Sequence, residues 1–380
     1  MEKSKRILVV ATSDIHLQVF HLPYFEMLKS QGHQLDAAVE VRGNGQVAGI
    51  EKLYNLPFKR TLFTLKLLDA YRKLKQIINE GNYDLIHCHT PIPAALTRLA
   101  AKQARAKGTI VMYTAHGFHF YKGAPLGYWL TYYLAEKYLS RFTDAIITIN
   151  QEDYQLAKTK FKANHTFYIP GIGVDTNRFK PVDNADRQLL RQQLSLPEDA
   201  FTLFYAANFI HRKNHRFIIE SLVALKERIP NLKLLLAGSG KLLIEMQELT
   251  TALGLQDMVH FLGFRSDINE LLAVTDVSIS ASRQEGLGLA LAEAMINGVP
   301  VVATVDRGHK ELVVHGENGF LYGQGNQEEF ITAIMKLYES KELSKTFADR
   351  ALIHIQKFFI ENSLREMNKI YSKFLNSNVA

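Results

Sequence analysis

Two carboxylates eight residues apart carry the strongest chemical signal in this chain. They close the segment Glu285-Gly-Leu-Gly-Leu-Ala-Leu-Ala-Glu293, which runs on through Ala-Met-Ile-Asn-Gly298-Val-Pro300-Val-Val-Ala-Thr. The pattern predicts a strand at Val277–Ser280, a glycine loop holding Glu285, an apolar helix holding Glu293, and a new strand from Pro300. Such a strand–loop–helix unit aims backbone N–H groups at its opening, which suits a phosphate. Gly286 and Gly288 let the backbone approach a ligand closely. The helix macrodipole, about half a positive charge at the N-terminus, favours charge on a leaving group there. Carboxylates on either side of the opening can accept hydrogen bonds from hydroxyls. A nucleotide sugar presents that series of groups: sugar hydroxyls, a diphosphate, ribose hydroxyls.

Cations able to meet a diphosphate stand in Asn208-Phe-Ile-His-Arg212-Lys213-Asn-His, after a predicted strand at Thr202–Asn208. A guanidinium offers a bidentate fork and an ammonium a compact charge. The plain alternative is a solvated basic turn. His116, beside Gly117 at the end of strand Thr109–Ala115, stands where open α/β sheets bind ligands; a packed core histidine is the alternative, and His119 divides evenly between the two. His87-Cys88-His89 invites a metal, but strand alternation puts the histidines on one face and the cysteine on the other, and a structural strand end is favoured over zinc. No metal site is expected. Gly238-Ser-Gly240-Lys241 is not a P-loop, because Leu242 replaces Ser or Thr.

These residues need strand ends to hold them. Strands are expected at Arg6–Thr12, Gln34–Val41, Asp84–His89, Thr109–Ala115, Asp144–Asn150 and Thr166–Pro170. A second set is expected at Thr202–Asn208, Leu232–Gly238, Met258–Phe264, Val277–Ser282, Pro300–Val305 and Gly319–Tyr322. They alternate with helical patterns and read as short buried runs, the mark of parallel sheets. The 380 residues suit two α/β domains rather than one core. Glycines and a closing proline in Pro170-Gly-Ile-Gly-Val-Asp175-Thr-Asn-Arg-Phe-Lys-Pro181 mark the linker. The domains are set at 1–172, with a C-terminal crossover helix at about 362–380, and at 173–361. The single Cys88 excludes an intramolecular disulfide and favours a reducing compartment. No apolar run is long and uninterrupted enough for a signal segment or a span.

With Glu-Gly-x-Gly-Leu, Glu-Ala-Met and Gly-x-Pro-Val-Val-Ala-Thr around the two glutamates, the chain resembles the retaining glycosyltransferases of family 4. Its first half, with Asp84-Leu-Ile-His-Cys-His-Thr-Pro91 and Thr114-Ala-His-Gly-Phe-His119, is similar to bacterial capsular and exopolysaccharide glycosyltransferases of the CapM/EpsD type. The resemblance implies the GT-B fold, two Rossmann-like doubly wound domains facing across a cleft, with the last helix returning to the first domain. It implies a UDP-sugar donor, the sugar an N-acetylated hexosamine, and an undecaprenyl-diphosphate-linked acceptor. Glu285 would hold the donor sugar, Glu293 the ribose, and Lys213 the diphosphate. Arginine is usual where Asn208 stands; Arg212, beside Lys213, is the candidate to compensate, and its direction is not legible in the sequence. The backbone of Gly286, Leu287, Gly288 and Leu289 would line the donor site, Gly238 would border the nucleotide, and Phe264 and Arg265 would lie near the base. His116 would reach the donor sugar and, with Glu285 and Lys213, form the catalytic set. Ser13, Asp14, His16 and His119 fall where the family meets its acceptor. No Asp-x-Asp occurs, so the diphosphate would be met by cations and a helix terminus, without a metal or other cofactor. The rival activity is an epimerase or hydrolase of a nucleotide sugar.

Charge is uneven. Up to Pro170 there are 22 Lys and Arg against 13 Asp and Glu, a net of +9; the remainder has 23 against 25, a net of −2. A basic first half points to an anionic partner. Nucleic acid is disfavoured, because the cations around Lys66 are interleaved with aliphatic residues rather than stacking aromatics. An anionic membrane surface fits, with the protein at the cytoplasmic face of the plasma membrane. Two segments are candidates. The first, Phe58 to Lys75, has Leu67, Tyr71 and Leu74 at helical spacing; the second, His119 to Tyr138, is rich in aromatics including Trp129. For each the alternative is core packing.

Overall fold

The structure is a computed structural model, described for residues 4–58, 65–181 and 184–376. It divides into two compact units, Met1–Gly173 with Glu361–Ala380, and Val174–Ile360.

The first unit is built on a seven-stranded sheet of β1 (Arg6–Ser13), β2 (Gln34–Glu40), β3 (Lys52–Asn55), β4 (Leu85–His89), β5 (Ile110–Ala115), β6 (Ala145–Thr148) and β7 (His165–Tyr168), in the order β3-β2-β1-β4-β5-β6-β7. The second is built on a six-stranded sheet of β8 (Phe201–Ala206), β9 (Leu232–Ala237), β10 (Val259–Gly263), β11 (Val277–Ser280), β12 (Val301–Thr304) and β13 (Phe320–Tyr322), in the order β10-β9-β8-β11-β12-β13. Every pairing is parallel. Parallel pairing needs crossovers that lay helices on both faces, so the central strands are largely apolar and buried. Leu85 to His89 and Val301 to Thr304 are buried along their whole length. The sequence pattern does not mark β3. Lys-Leu-Tyr-Asn is short, half polar and half exposed, as an edge strand is, and carries no continuous apolar run.

Each sheet reverses its winding once, between β1 and β4 in the first and between β8 and β11 in the second. At such a reversal the loops leaving adjacent strand ends diverge and leave a crevice. The loops after β1 and β4, and those after β8 and β11, therefore border the crevices where a ligand can enter.

The last helix, Ile360–Leu375, buries Met367, Ile370, Tyr371 and Leu375. Tyr371 places its hydroxyl 2.6 Å from His87 Nδ1 on β4, and Ser363 donates to the Pro170 carbonyl at 3.1 Å. Residues 377–380 of the expected helix lie outside the described residues. So do residues 59–64 of the amphipathic segment. The rest of that segment enters the helix Leu65–Gly81, which buries Leu67, Ala70, Leu74 and Ile78 and packs Tyr71 against the same core. The spacing of Leu67, Tyr71 and Leu74 is thus spent on the core of the first unit. In the aromatic segment Phe120 is buried, and Trp129, Tyr132 and Tyr133 pack on that core. The most exposed apolar residues there are leucines instead.

Candidate active site

In the second unit the loops after β8 and β11 meet. A single 3₁₀ turn, His211–Lys213, follows β8. Tyr205, buried on β8, donates its hydroxyl to the Lys213 carbonyl at 2.8 Å, and the Arg212 carbonyl accepts from Arg283 N at 2.9 Å. The turn is thereby tied to the loop after β11. Across it Lys213 Nζ contacts Glu285 Oε1, and Arg212 Nη1 lies 3.1 Å from Glu285 Oε2 while also donating to the Gln284 carbonyl. Arg212 therefore does point at the glutamate. Asn208 is exposed at the start of the same loop. Burial pushes the Glu285 carboxyl up, but the charges of Lys213 and Arg212 outweigh it and hold the group down to about 2. It is a fixed anion between two cations, a poor base and a good positioning group.

Glu293 is placed differently. Gly288 caps the helix Leu289–Ile296 at φ +97°, a conformation open to glycine and costly for other residues. Glu293 lies on the second turn, and among the described residues no group donates to its carboxyl. Burial raises it to about 7, against a weaker opposing pull from Arg178. Arg178 donates to the Ser266 carbonyl at 3.0 Å, in the loop that follows Phe264. Phe264 is 80 % exposed. Arg265 Nε donates to Asp267 Oδ1 at 2.7 Å and is committed to that pair. Gly238 has a packing role as well: a Cβ there would stand 2.1 Å from the Ala207 carbonyl oxygen. Only glycine lets the loops after β8 and β9 lie against each other.

Three residues beside the Glu285 loop escape sequence reasoning. Asp306 Oδ1 accepts from Glu285 N at 3.0 Å and from Gly308 N at 2.8 Å. A Cβ on Gly308 would fall 2.8 Å from Leu287 N and 2.9 Å from the Gly286 carbonyl carbon, so the segment after β12 lies directly on residues 285–287. His309, fully buried, donates from Nδ1 to the Thr304 carbonyl at 2.9 Å. Its Nε2 has no protein partner among the described residues and would lie 3.4 Å from a Cβ at Gly288. With Nδ1 as the donor, this buried Nε2 is an open acceptor beside the N-terminus of a helix and a ready contact for a ligand hydroxyl. The only signal in the sequence is a histidine shortly after a strand.

In the first unit, Ser13 caps the helix Asp14–Phe20 by accepting from His16 N at 3.3 Å. Asp14 is buried and engaged. Its Oδ1 accepts from Arg42 N at 2.8 Å and Gly43 N at 3.1 Å, and its Oδ2 from Gly43 N and Gly45 N, both at 3.0 Å. Burial raises this carboxyl, but the amide bonds outweigh it and hold it below its ordinary value. Asp14 anchors the loop over residues 42–45, and His16 is the member of the pair with a half-exposed side chain. His119 is half-buried, with its ring stacked on Tyr132 at 4.7 Å.

His116 joins a group of histidines. His89 Nδ1 lies 3.3 Å from His116 Nε2, and His16 Nε2 lies 3.3 Å from His21 Nε2. The His21 and His89 rings are 4.2 Å apart, as are those of His87 and His89. Burial keeps them uncharged: His16 is lowered to about 4, His87 to about 3, and His21, His89 and His116 well below the usual histidine range. Cys88 faces away and donates to the Met112 carbonyl at 3.2 Å.

Two doubly wound parallel-sheet units are the architecture of the GT-B transferases, and here the second carries a lysine–glutamate pair beside a glycine-capped helix. Residues 6–150 match the model of the family described as glycosyl transferase 4-like, and residues 186–353 that of the glycosyl transferases group 1. The chain belongs to this family 4-type group and is a glycosyltransferase. It is 43% identical over 375 residues to the putative glycosyltransferase EpsD of Bacillus subtilis, covering 98% of this chain and 97% of that one. It is 26% identical to the UDP-Gal:alpha-D-GlcNAc-diphosphoundecaprenol alpha-1,3-galactosyltransferase of Escherichia coli, over 75% of this chain and 74% of the relative. Among solved structures, Anabaena HepE in complex with UDP-glucose aligns with a TM-score of 0.79 at 25% identity, over 97% of this chain and 100% of that one.

Proposed function

We propose that this enzyme transfers a sugar from a UDP-sugar to an undecaprenyl-diphosphate-linked acceptor, with retention and without a metal, in capsule or exopolysaccharide synthesis. The observation that carries the donor half is the Lys213–Glu285–Arg212 group at the opening of a helix whose second turn holds Glu293, a carboxyl with no hydrogen-bond donor among the described residues. The UDP-glucose complex of the HepE structure supports UDP as the carrier, and the named acceptor of the E. coli relative supports the lipid diphosphate.

The chemistry follows from the charges. The anomeric C–O bond to the diphosphate breaks, and Lys213 with the helix N-terminus meets the charge that grows on the leaving oxygen. An acceptor hydroxyl adds on the same face, and its proton passes to the departing phosphate. Glu285, held at about 2, orients sugar hydroxyls and takes no proton. Glu293 accepts from the ribose diol. Lysine and arginine neutralise the diphosphate, so transfer should persist in a chelator. Loss of activity in EDTA that Mg²⁺ or Mn²⁺ restores would contradict metal independence.

No helix among the described residues is long and apolar enough to cross a membrane. A lipid-linked acceptor then calls for a surface that meets the bilayer. Leu126, Leu130 and Leu134 recur every fourth residue and are 73, 60 and 52 % exposed, with Lys137 in the last turn of the helix Leu134–Leu139. This stripe supports peripheral contact with the anionic cytoplasmic face.

The deciding experiment incubates the enzyme with radiolabelled UDP-sugars, UDP-N-acetylhexosamines first, and a lipid diphosphate acceptor. Label should move into the butanol phase. Label that stays aqueous as free or epimerised sugar would assign the site to a hydrolase or epimerase.

A further inference from the structure

We propose that His16, His21 and His116 bind one divalent transition-metal ion, with Zn²⁺ the best match to three imidazoles. His116 stands far from the other two in sequence, yet each of the three offers a ring nitrogen within 4.8 Å of the others. His16 Nε2 and His21 Nε2 are 3.3 Å apart. Two nitrogens bound at about 2.0–2.1 Å to a tetrahedral ion are separated by roughly that distance. His21 is buried, while His16 and His116 are half-buried, so two of the three ligands keep some exposure to solvent; a catalytic-type tetrahedral site takes its fourth ligand from water.

The surroundings also fit. His89 Nδ1, 3.3 Å from His116 Nε2, is an outer partner of the kind that orients a ligating imidazole. His87 is excluded as a ligand, because its two nitrogens are engaged by Tyr371 and Thr114 at 2.6 and 2.8 Å. Cys88 faces the opposite side of the sheet. An all-nitrogen donor set selects Zn²⁺, Co²⁺, Ni²⁺ or Cu²⁺ and rejects Mg²⁺, which prefers carboxylate and water oxygen. An ion that serves a diphosphate prefers oxygen ligands, so this donor set would select a different metal, and binding can be read without measuring transfer.

The test uses the full-length chain without a histidine tag. Calorimetric titration with ZnCl₂ should give one ion per chain, and CoCl₂ should produce the visible absorption of a tetrahedral site. MgCl₂ should give no binding heat. His21→Ala and His16→Ala should each abolish the cobalt spectrum, while His354→Ala, a histidine of the second unit, should leave it intact. Circular dichroism checks folding; if His21→Ala unfolds, the half-exposed His16→Ala decides. Failure of zinc to bind, or a cobalt spectrum unchanged in folded His16→Ala, would overturn the proposal.

Discussion

Glu293 and Glu285 belong to one motif and are tuned in opposite directions by their neighbours. Glu285 has two cations and stays charged, whereas Glu293 has burial and no donor and sits near neutrality. A diol that donates to Glu293 favours its ionised form. Affinity for UDP should therefore rise as pH increases from about 5 to about 8, with a proton released on binding near pH 7, seen in calorimetry as a heat that varies with buffer ionisation enthalpy. Glu293→Gln should weaken UDP binding about ten- to a hundredfold, the range of a lost hydrogen bond to a charged group, and should flatten that pH dependence. Unchanged affinity would remove Glu293 from the ribose. Lys213→Ala should lower kcat by about 10²–10³-fold, as when a donor to developing negative charge is lost, with a smaller change in KM. A raised KM alone would mean that Lys213 binds the ground state and transition state equally.

At the scale of elements, the loop that carries Glu285 depends on a neighbouring segment for its shape. Gly308 lies against the backbone of residues 285–287 so closely that an added methyl group has nowhere to go. Gly308→Ala should cost about 1–3 kcal/mol of stability through overpacking, read as a lower denaturant midpoint, and should reduce kcat/KM because Glu285 shifts with its backbone. The helical segment 126–139 offers the complementary case. Leu130→Glu with Leu134→Glu changes only exposed side chains, so folding should be unaffected. Co-sedimentation with vesicles rich in anionic lipid should fall. Undiminished sedimentation would place the membrane surface elsewhere.

Each unit, taken as a whole, carries a buried histidine kept uncharged by its surroundings: His87, lowered to about 3, and His215, lowered to about 4, both mainly by burial. Their sign is that of acid instability. Above the unfolded value of about 6.5 both states are neutral and the groups contribute nothing. Below it the unfolded chain takes up protons that the folded chain refuses, so stability falls as pH drops from about 6.5 towards 4, by up to about 1.4 kcal/mol per pH unit for each group. Glu293 opposes this over part of the window, since its carboxyl is easier to bury once protonated. Differential scanning calorimetry should show a lower Tm at pH 5 than at pH 7. The last helix matters on the same scale. It buries Met367, Ile370 and Tyr371, and a chain ended at Ile360 should lose cooperative unfolding of the first unit.

By itself the sequence determined the parallel sheets and marked the loop and helix that carry Glu285 and Glu293. Strands covered on both faces are written as largely apolar runs, and Glu285 to Glu293 is contiguous, so the placing of one carboxylate in a glycine loop and the other on the helix after it is legible without coordinates. β3 escaped because an edge strand carries no such run. Only the tertiary structure could bring His309 and Asp306 against that loop, gather His16, His21, His89 and His116 from three strand ends, and commit both oxygens of Asp14 to backbone amides. It also decided which apolar stripe is spent: Leu67 and Leu74 lie in the core, while Leu126, Leu130 and Leu134 face outward. A parallel sheet places the ends of neighbouring strands side by side, however many residues separate them along the chain. The burial of an amphipathic face is settled by what docks on it, which its own periodicity does not record.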